Sequence, residues 1–247
     1  MDKIVKEFSG HSGSKITLMS NDNGLFVRKE NNVERNFERL SALNNLGFHV
    51  PKILRKEGNI LDMQYIQGLD MQTYLKHNNE KLLTKYILDI LDALAFIPTS
   101  KDYTEVYNEK LEWMDTDTSL PFTKEDLIIT LPKVLPQSFY HGDLTLENIL
   151  YSFCNFYMID PVTIEYDSFV FDIAKMRQDL HCKWFLRKSD DRLDTKLKNI
   201  EDKILNKYPV ANNNGLLILM LLRVYLHTEK NDENYTFIMR EIDKLWK

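Results

Sequence analysis

The chain's densest run of chemically capable residues is Tyr140-His141-Gly142-Asp143-Leu144-Thr145-Leu146-Glu147-Asn148-Ile149-Leu150. An aspartate and an asparagine five residues apart, bracketed by hydrophobes that can form strand edges, suit a phosphoryl-transfer loop. The Asp143 carboxylate would accept a proton from an attacking hydroxyl, and the Asn148 amide oxygen would coordinate Mg²⁺. Ten residues after Asn148 comes Met158-Ile159-Asp160, an acid at the end of a hydrophobic strand. Asp160 is placed to give a second metal ligand from the same hairpin. A polar hairpin tip with chance acids would leave the ordered arrival of all three groups unexplained.

Those residues need elements to hold them, and two textures are visible. Residues 1–67 read as short strands with one helix among them. Strands at 4–8 and 15–19 flank Ser9-Gly10-His11-Ser12-Gly13-Ser14, Asn21-Asp22-Asn23-Gly24 signals a turn, and Leu25-Phe26-Val27 starts a third strand. Phe37, Leu40, Leu43 and Leu46 recur at helical spacing until Gly47 and Pro51, and strands follow at 52–56 and 60–66. Residues 68–247 are mostly helical. Leu82, Leu83, Tyr86, Ile87, Ile90, Leu91 and Leu94 mark an amphipathic helix that Pro98 ends. Residues 99–123 read as a loop or small insertion, 193–204 as a helix with a solvated charged face, and 216–226 as a buried core helix. The expected class is α+β, with a small antiparallel-sheet lobe at 1–67 and a larger helical lobe at 68–247.

Composition removes several function classes. At 43% apolar and 28% charged residues the chain can bury a core, which argues against intrinsic disorder. A formal charge of −5 disfavours non-specific binding to nucleic acid. Cys154 and Cys182 cannot form a disulfide framework or a zinc site. The longest apolar run, 216–222, is far short of a membrane span, and the first eight residues alternate charge with hydrophobe, unlike the core of a signal peptide. The expectation is a soluble protein of the cytoplasm.

The pattern His-Gly-Asp-x-x-x-x-Asn followed by Ile-Asp resembles the catalytic and metal motifs of the aminoglycoside phosphotransferase and choline kinase-like family, which has the protein-kinase fold. Gly10-His11-Ser12-Gly13-Ser14-Lys15-Ile16 resembles that family's nucleotide-covering loop, and Leu25-Phe26-Val27-Arg28-Lys29 its third strand. Val50-Pro51-Lys52-Ile53-Leu54 resembles the connection from helix to strand, and Leu61-Asp62-Met63-Gln64-Tyr65-Ile66-Gln67-Gly68 the hinge. The resemblance implies a two-lobed kinase that uses ATP and two Mg²⁺ ions, with Ser12, Gly13 and Ser14 at the phosphates and Asp143, Asn148 and Asp160 in the roles given above. It also implies that the Gln64 carbonyl and the Ile66 N–H meet the purine edge, with Met63 behind it, and that Asp172 buttresses the catalytic loop.

Two positions depart from the family pattern. One strand cation should grip the α- and β-phosphates, and Arg28 and Lys29 stand side by side where alternation lets only one face the cleft. Counting from the strand start favours Arg28, whereas Val27 two residues before Lys29 favours Lys29; the reading leans to Arg28. The helix acid that should pair with this cation is replaced in register by Asn36, with Glu34 and Glu38 to either side.

The acceptor is expected to be a small-molecule hydroxyl. Gly142 stands where regulated protein kinases carry arginine, and only eleven residues separate Asp160 from Asp172, too few for a peptide platform. A sugar or saccharide precursor is favoured over an aminoglycoside or amino alcohol, with Glu165, Asp167, Asp179, His181, Lys183 and Trp184 as candidate acceptor-side residues. His181 and Cys182 read as packing on a helical stretch with Trp184 and Phe185, rather than as a nucleophile pair. A protein kinase-like enzyme and a nucleotide-binding pseudokinase are the alternatives.

Overall fold

The computed structural model describes residues 2–8, 14–96, 98–230 and 232–247. In chain order the elements are β1 (Lys3–Phe8), β2 (Lys15–Asn21), β3 (Gly24–Glu30), α1 (Glu34–Asn45), β4 (Ile53–Glu57), β5 (Ile60–Gln64), β6 (Leu69–Asp70), α2 (Met71–His77) and α3 (Lys81–Leu94). Then come β7 (Thr99–Asp102), α4 (Thr104–Lys110), α5 (Lys124–Thr130), β8 (Val134–Gln137), β9 (Ile149–Ser152) and β10 (Asn155–Met158). Four helices close the chain: α6 (Phe169–Leu180), α7 (Asp194–Lys207), α8 (Asn214–Tyr225) and α9 (Glu233–Trp246). Two compact units emerge: Met1–Tyr74 with His141–Ile164, and Leu75–Tyr140 with Glu165–Lys247. The loop around Asp143 and the hairpin after it thus cluster with the first strands, not with the helices that follow residue 67 in sequence.

In the first unit the strands form an antiparallel sheet in the order β1-β2-β3-β5-β4. The tight turn at Gly24 has φ +114°, which glycine adopts without a Cβ penalty. Lys29 pairs with Ile16 and Leu61, and Arg28 with Thr17 and Asp62, so successive β3 side chains leave on opposite faces. Leu40 and Leu43 of α1 are essentially fully buried, each burial worth about 1.5–3 kcal/mol. A second sheet, β10-β9-β6, carries the residues after the Asp143 loop.

The second unit is built round α6, all twelve residues of which are buried. Its charged side chains are buried with partners: Arg177 donates to Glu201 at 2.9 Å and to the Ala211 and Asn213 carbonyls at 3.0 and 3.2 Å. The apolar run of α8 packs on α6 and α9. Residues 99–123, expected as a loop or small insertion, hold β7 and α4. Tyr103 and Tyr107 are fully buried one helical turn apart, and Lys101 pairs with Asp167 at 2.7 Å, contacts that a reading by polarity does not register. The stretch at 181–185 is not one continuous helix: α6 ends at Leu180, Lys183 sits at φ 62°, and a single 3-10 turn follows at Trp184–Leu186. No helix among the described residues is long and apolar enough to cross a membrane.

Candidate active site

The hairpin β9–β10 explains why residues twelve apart in sequence meet. Ile149 pairs with Met158, so Asn148 lies just before one strand and Ile159 just after the other. The Ile159 N–H donates to the Asn148 carbonyl at 2.9 Å, extending the ladder by a rung and setting Asp160 beside Asn148. Asp160 itself has φ 53°, in the left-handed region, where a non-glycine residue persists only when its surroundings hold it.

Two side chains of the first unit hold it. Lys29 Nζ donates to Asp160 Oδ1 at 2.7 Å, with the lysine side chain 3% exposed and the aspartate 42%. Asn36 Nδ2 donates to the same oxygen at 3.0 Å and to the Pro161 carbonyl at 2.8 Å. Helix α1 is tied to the segment beyond Asp160 by a further pair: the Arg35 Nε donates to the Thr163 carbonyl at 2.5 Å, and the Thr163 N–H to the Arg35 carbonyl at 3.0 Å.

The Asp143 loop is pinned from both ends. Asn148 Nδ2 donates to the Asp143 carbonyl at 2.8 Å and to Asp143 Oδ2 at 3.1 Å, orienting the carboxylate. The Val162 N–H donates to the His141 carbonyl at 3.0 Å. Gly142, at φ +91°, passes so close to this strap that a Cβ would lie 2.0 Å from the Val162 carbonyl oxygen. Glycine at this position is therefore a matter of space as well as dihedral angle. His141 is fully buried, and its Nδ1 accepts the Asp143 N–H at 3.3 Å. Burial lowers its pKa to about 4 against the pull of the Asp143 and Asp160 charges, so the ring is neutral and serves as scaffold.

Arg28, favoured in the sequence for the phosphate-gripping cation, faces the other way. Its Nε and Nη2 donate to the two oxygens of Asp62 at 2.7 and 2.9 Å, and Nη2 also reaches Asp2 at 2.9 Å. The Asp62 hydrogen bond raises the guanidinium pKa further still. The β3–β5 register places Arg28 opposite Asp62 and leaves Lys29 as the cation on the Asp160 side. Lys29, not the favoured Arg28, is thus the residue that shares a face with Asp160. Glu34 turns to Lys56, at 2.8 Å, so the side chain that α1 brings to Asp160 is Asn36. The sequence marked position 36 but not its partner, because the partner lies 124 residues away.

Of the residues expected at the nucleotide, Met63 on β5 pairs with Val27 on β3, Gln64 ends the strand, and Ile66 is buried just beyond it. The linker that follows is clamped to β9: the Ser152 Oγ donates to the Gln67 carbonyl at 2.6 Å, and a Cβ on Gly68 would meet the Tyr151 carbonyl at 2.7 Å. Ser14 is buried and its Oγ donates to the Asn31 carbonyl at 2.9 Å. Ser12 and Gly13 lie outside the described residues.

The acceptor-side candidates have partners within the second unit. Asp167 accepts from Lys101, Tyr103 and Gln137, bonds that hold its pKa down despite partial burial. Glu165 pairs with Lys110, His181 with Glu201 and Lys183 with Asp194, while Trp184 lies under the Arg187 guanidinium and Asp179 is fully buried. Cys182 is also buried, and burial pushes its thiol up to about 12, which makes it packing and not a nucleophile.

The model of the phosphotransferase enzyme family, APH, matches residues 17–197, well over half of the chain. No curated protein sequence matches significantly. Among solved structures, the chain is similar to a thermostable mutant of the aminoglycoside phosphotransferase APH(4)-Ia, solved as a ternary complex with ADP and hygromycin B. Identity there is 11% and the TM-score 0.67, over 97% of this chain and 92% of the other. It is also similar to a protein named as a fructosamine-3-kinase from Haemophilus somnus, at 14% identity and TM-score 0.65 over 100% and 92% of the two chains. A third likeness is to an ethanolamine kinase of Plasmodium vivax, at 12% identity and TM-score 0.55 over 100% and 82%. At such identities the likeness carries the fold, which is the α+β kinase-like one expected from the sequence.

Proposed function

The chain belongs to the phosphotransferase enzyme family and is a small-molecule phosphotransferase; on that premise we propose that it moves the γ-phosphoryl group of ATP to a hydroxyl of a sugar or saccharide precursor, an aminoglycoside or an amino alcohol. The observation that carries the reading is the set of linked contacts that joins Lys29 to Asp160, and Asp143 through Asn148 to Ile159. Structural neighbours whose names include ADP, an aminoglycoside, fructosamine and ethanolamine support both the donor and the acceptor class.

In this reading Lys29 grips the nucleotide phosphates, and the Asp143 carboxylate orients the acceptor hydroxyl and takes its proton. A carboxylate suffices because a loose transition state needs positioning more than a strong base. Asp160 Oδ2 and Asn148 Oδ1 have no partner among the described residues, and both are the hard oxygen donors that Mg²⁺ prefers alongside phosphates and water. These two residues would hold the metal, which when bound screens the phosphate charges. Ser12, Gly13 and Ser14 would cover the phosphates, and the Gln64 carbonyl and Ile66 N–H would meet the adenine edge with Met63 behind it. The division of the chain at residues 67 and 68 into nucleotide and acceptor lobes belongs to the same reading.

Asp143→Asn tests it. ATP binding should stay nearly unchanged, because the residue serves the acceptor. Phosphoryl transfer should fall roughly 10²–10⁴-fold, about 3–5 kcal/mol of transition-state stabilisation. Transfer is read by mass spectrometry over a panel of sugars, aminoglycosides, choline and ethanolamine. Unchanged transfer in a folded variant would remove Asp143 from the mechanism. Loss of ATP binding together with a lower melting temperature would make its role structural.

A further inference from the structure

Asn36 stands where the resemblance asks for an acid paired with the strand cation, yet its amide is bonded to the carboxylate and not to the lysine. Asp160 Oδ1 receives both Lys29 Nζ at 2.7 Å and Asn36 Nδ2 at 3.0 Å, while the other Asn36 hydrogen bond, 2.8 Å to the Pro161 carbonyl, locks the amide's direction. Resting on the roles proposed above for Lys29 and Asp160, we propose that Asn36 is a positioning residue: it holds Asp160 through a neutral amide, so that the carboxylate keeps its place when Lys29 leaves it for phosphate.

Three observations lead there. Asp160 sits at φ 53° and depends on its neighbours to remain so. Lys29, buried at 3% exposure, has Asp160 as its one anionic partner among the described residues, so a shift of the ammonium toward phosphate would leave Oδ1 to Asn36 alone. An aspartate isosteric with Asn36 would set a second negative charge about 3 Å from the first and would have no N–H to donate. The amide gives the hydrogen bond without the repulsion. Helix α1 is fixed independently through Arg35 and Thr163, which keeps Asn36 at its station.

The experiment is calorimetry of ATP binding with and without Mg²⁺ on the full chain, for wild type, Asn36→Ala, Asn36→Asp, Asn36→Glu and Asp160→Ala, with melting curves alongside. The quantity read is the gain in ATP affinity that Mg²⁺ brings. Asn36→Ala should cut that gain about tenfold, the scale of losing one hydrogen bond to a charged group, with ATP binding in the absence of metal little changed. Asn36→Asp and Asn36→Glu should cut it further, even though each puts an acid where the family pattern has one. If Asp160→Ala loses the gain while Asn36→Ala and Asn36→Asp keep it, the positioning role is overturned and the metal reading stands. If Asp160→Ala keeps the gain, both fall together. Should Asn36→Asp fail to fold, Asn36→Ala decides alone.

Discussion

Replacing Arg28 and Lys29 one at a time should give opposite phenotypes. Arg28→Ala removes a bidentate pair at 2.7 and 2.9 Å from Asp62, a carboxylate whose side chain is only 7% exposed. Stripping one partner from a buried ion pair costs about 3–5 kcal/mol. Here Arg55 remains 3.6 Å from Asp62, and Arg28 is itself 15% exposed, which brings the cost to about 2–3 kcal/mol. At roughly 2–4 °C per kcal/mol for a chain of this size, the melting temperature should drop by about 4–12 °C. Lys29→Met keeps the aliphatic stem and leaves Asp160, 42% exposed, to water. Its stability cost should be about 1 kcal/mol or less. Turnover should fall by about 10²–10³, the scale of losing one preorganised group from a charged transition state. Scanning fluorimetry and Mg²⁺-dependent ATP turnover on both variants complete the test. Lost turnover with an unmoved melting temperature in Arg28→Ala, alongside an active Lys29→Met, would refute the assignment of the cation by strand face.

Gly142→Ala should destabilise the first unit by about 3 kcal/mol or more, since the methyl meets the Val162 carbonyl at 2.0 Å and the residue keeps φ +91°; a denaturation midpoint equal to wild type would contradict the close approach. For His141, the folded pKa of about 4 lies below the ordinary value of 6.5. The unfolded chain therefore binds the extra proton first, and stability present above pH 6.5 should be lost as the pH falls toward 4, by up to about 3 kcal/mol. His141→Gln should flatten that part of the pH–stability curve, and an equally steep curve in the variant would assign the acid sensitivity to other groups.

Much of this molecule is legible in local pattern. Period-two runs and turn residues mark the strands of the first sheet, and Leu40 and Leu43 at helical spacing mark α1. The spacing of Asn148 and Asp160 around two short hydrophobic runs announces a hairpin, and antiparallel register alone then brings the two together. Such features depend on neighbours along the chain, so residue order suffices to state them.

The tertiary structure decided what order cannot. Arg28 and Lys29 are equal cations in sequence, and only pairing of β3 with β5 sets Arg28 against Asp62 and turns Lys29 to the opposite face. A strand that slips by one residue exchanges its faces, so the choice rests on register against a partner 34 residues away. The partner of Asn36 was likewise hidden, because Asp160 reaches it only once the hairpin has packed against α1. Gly142 reads in sequence as a missing arginine, yet what fixes it is the Val162 carbonyl lying where a side chain would begin. In each case the deciding energy is a contact between segments distant along the chain, a steric overlap or a charge pair whose worth exists only when both are in place.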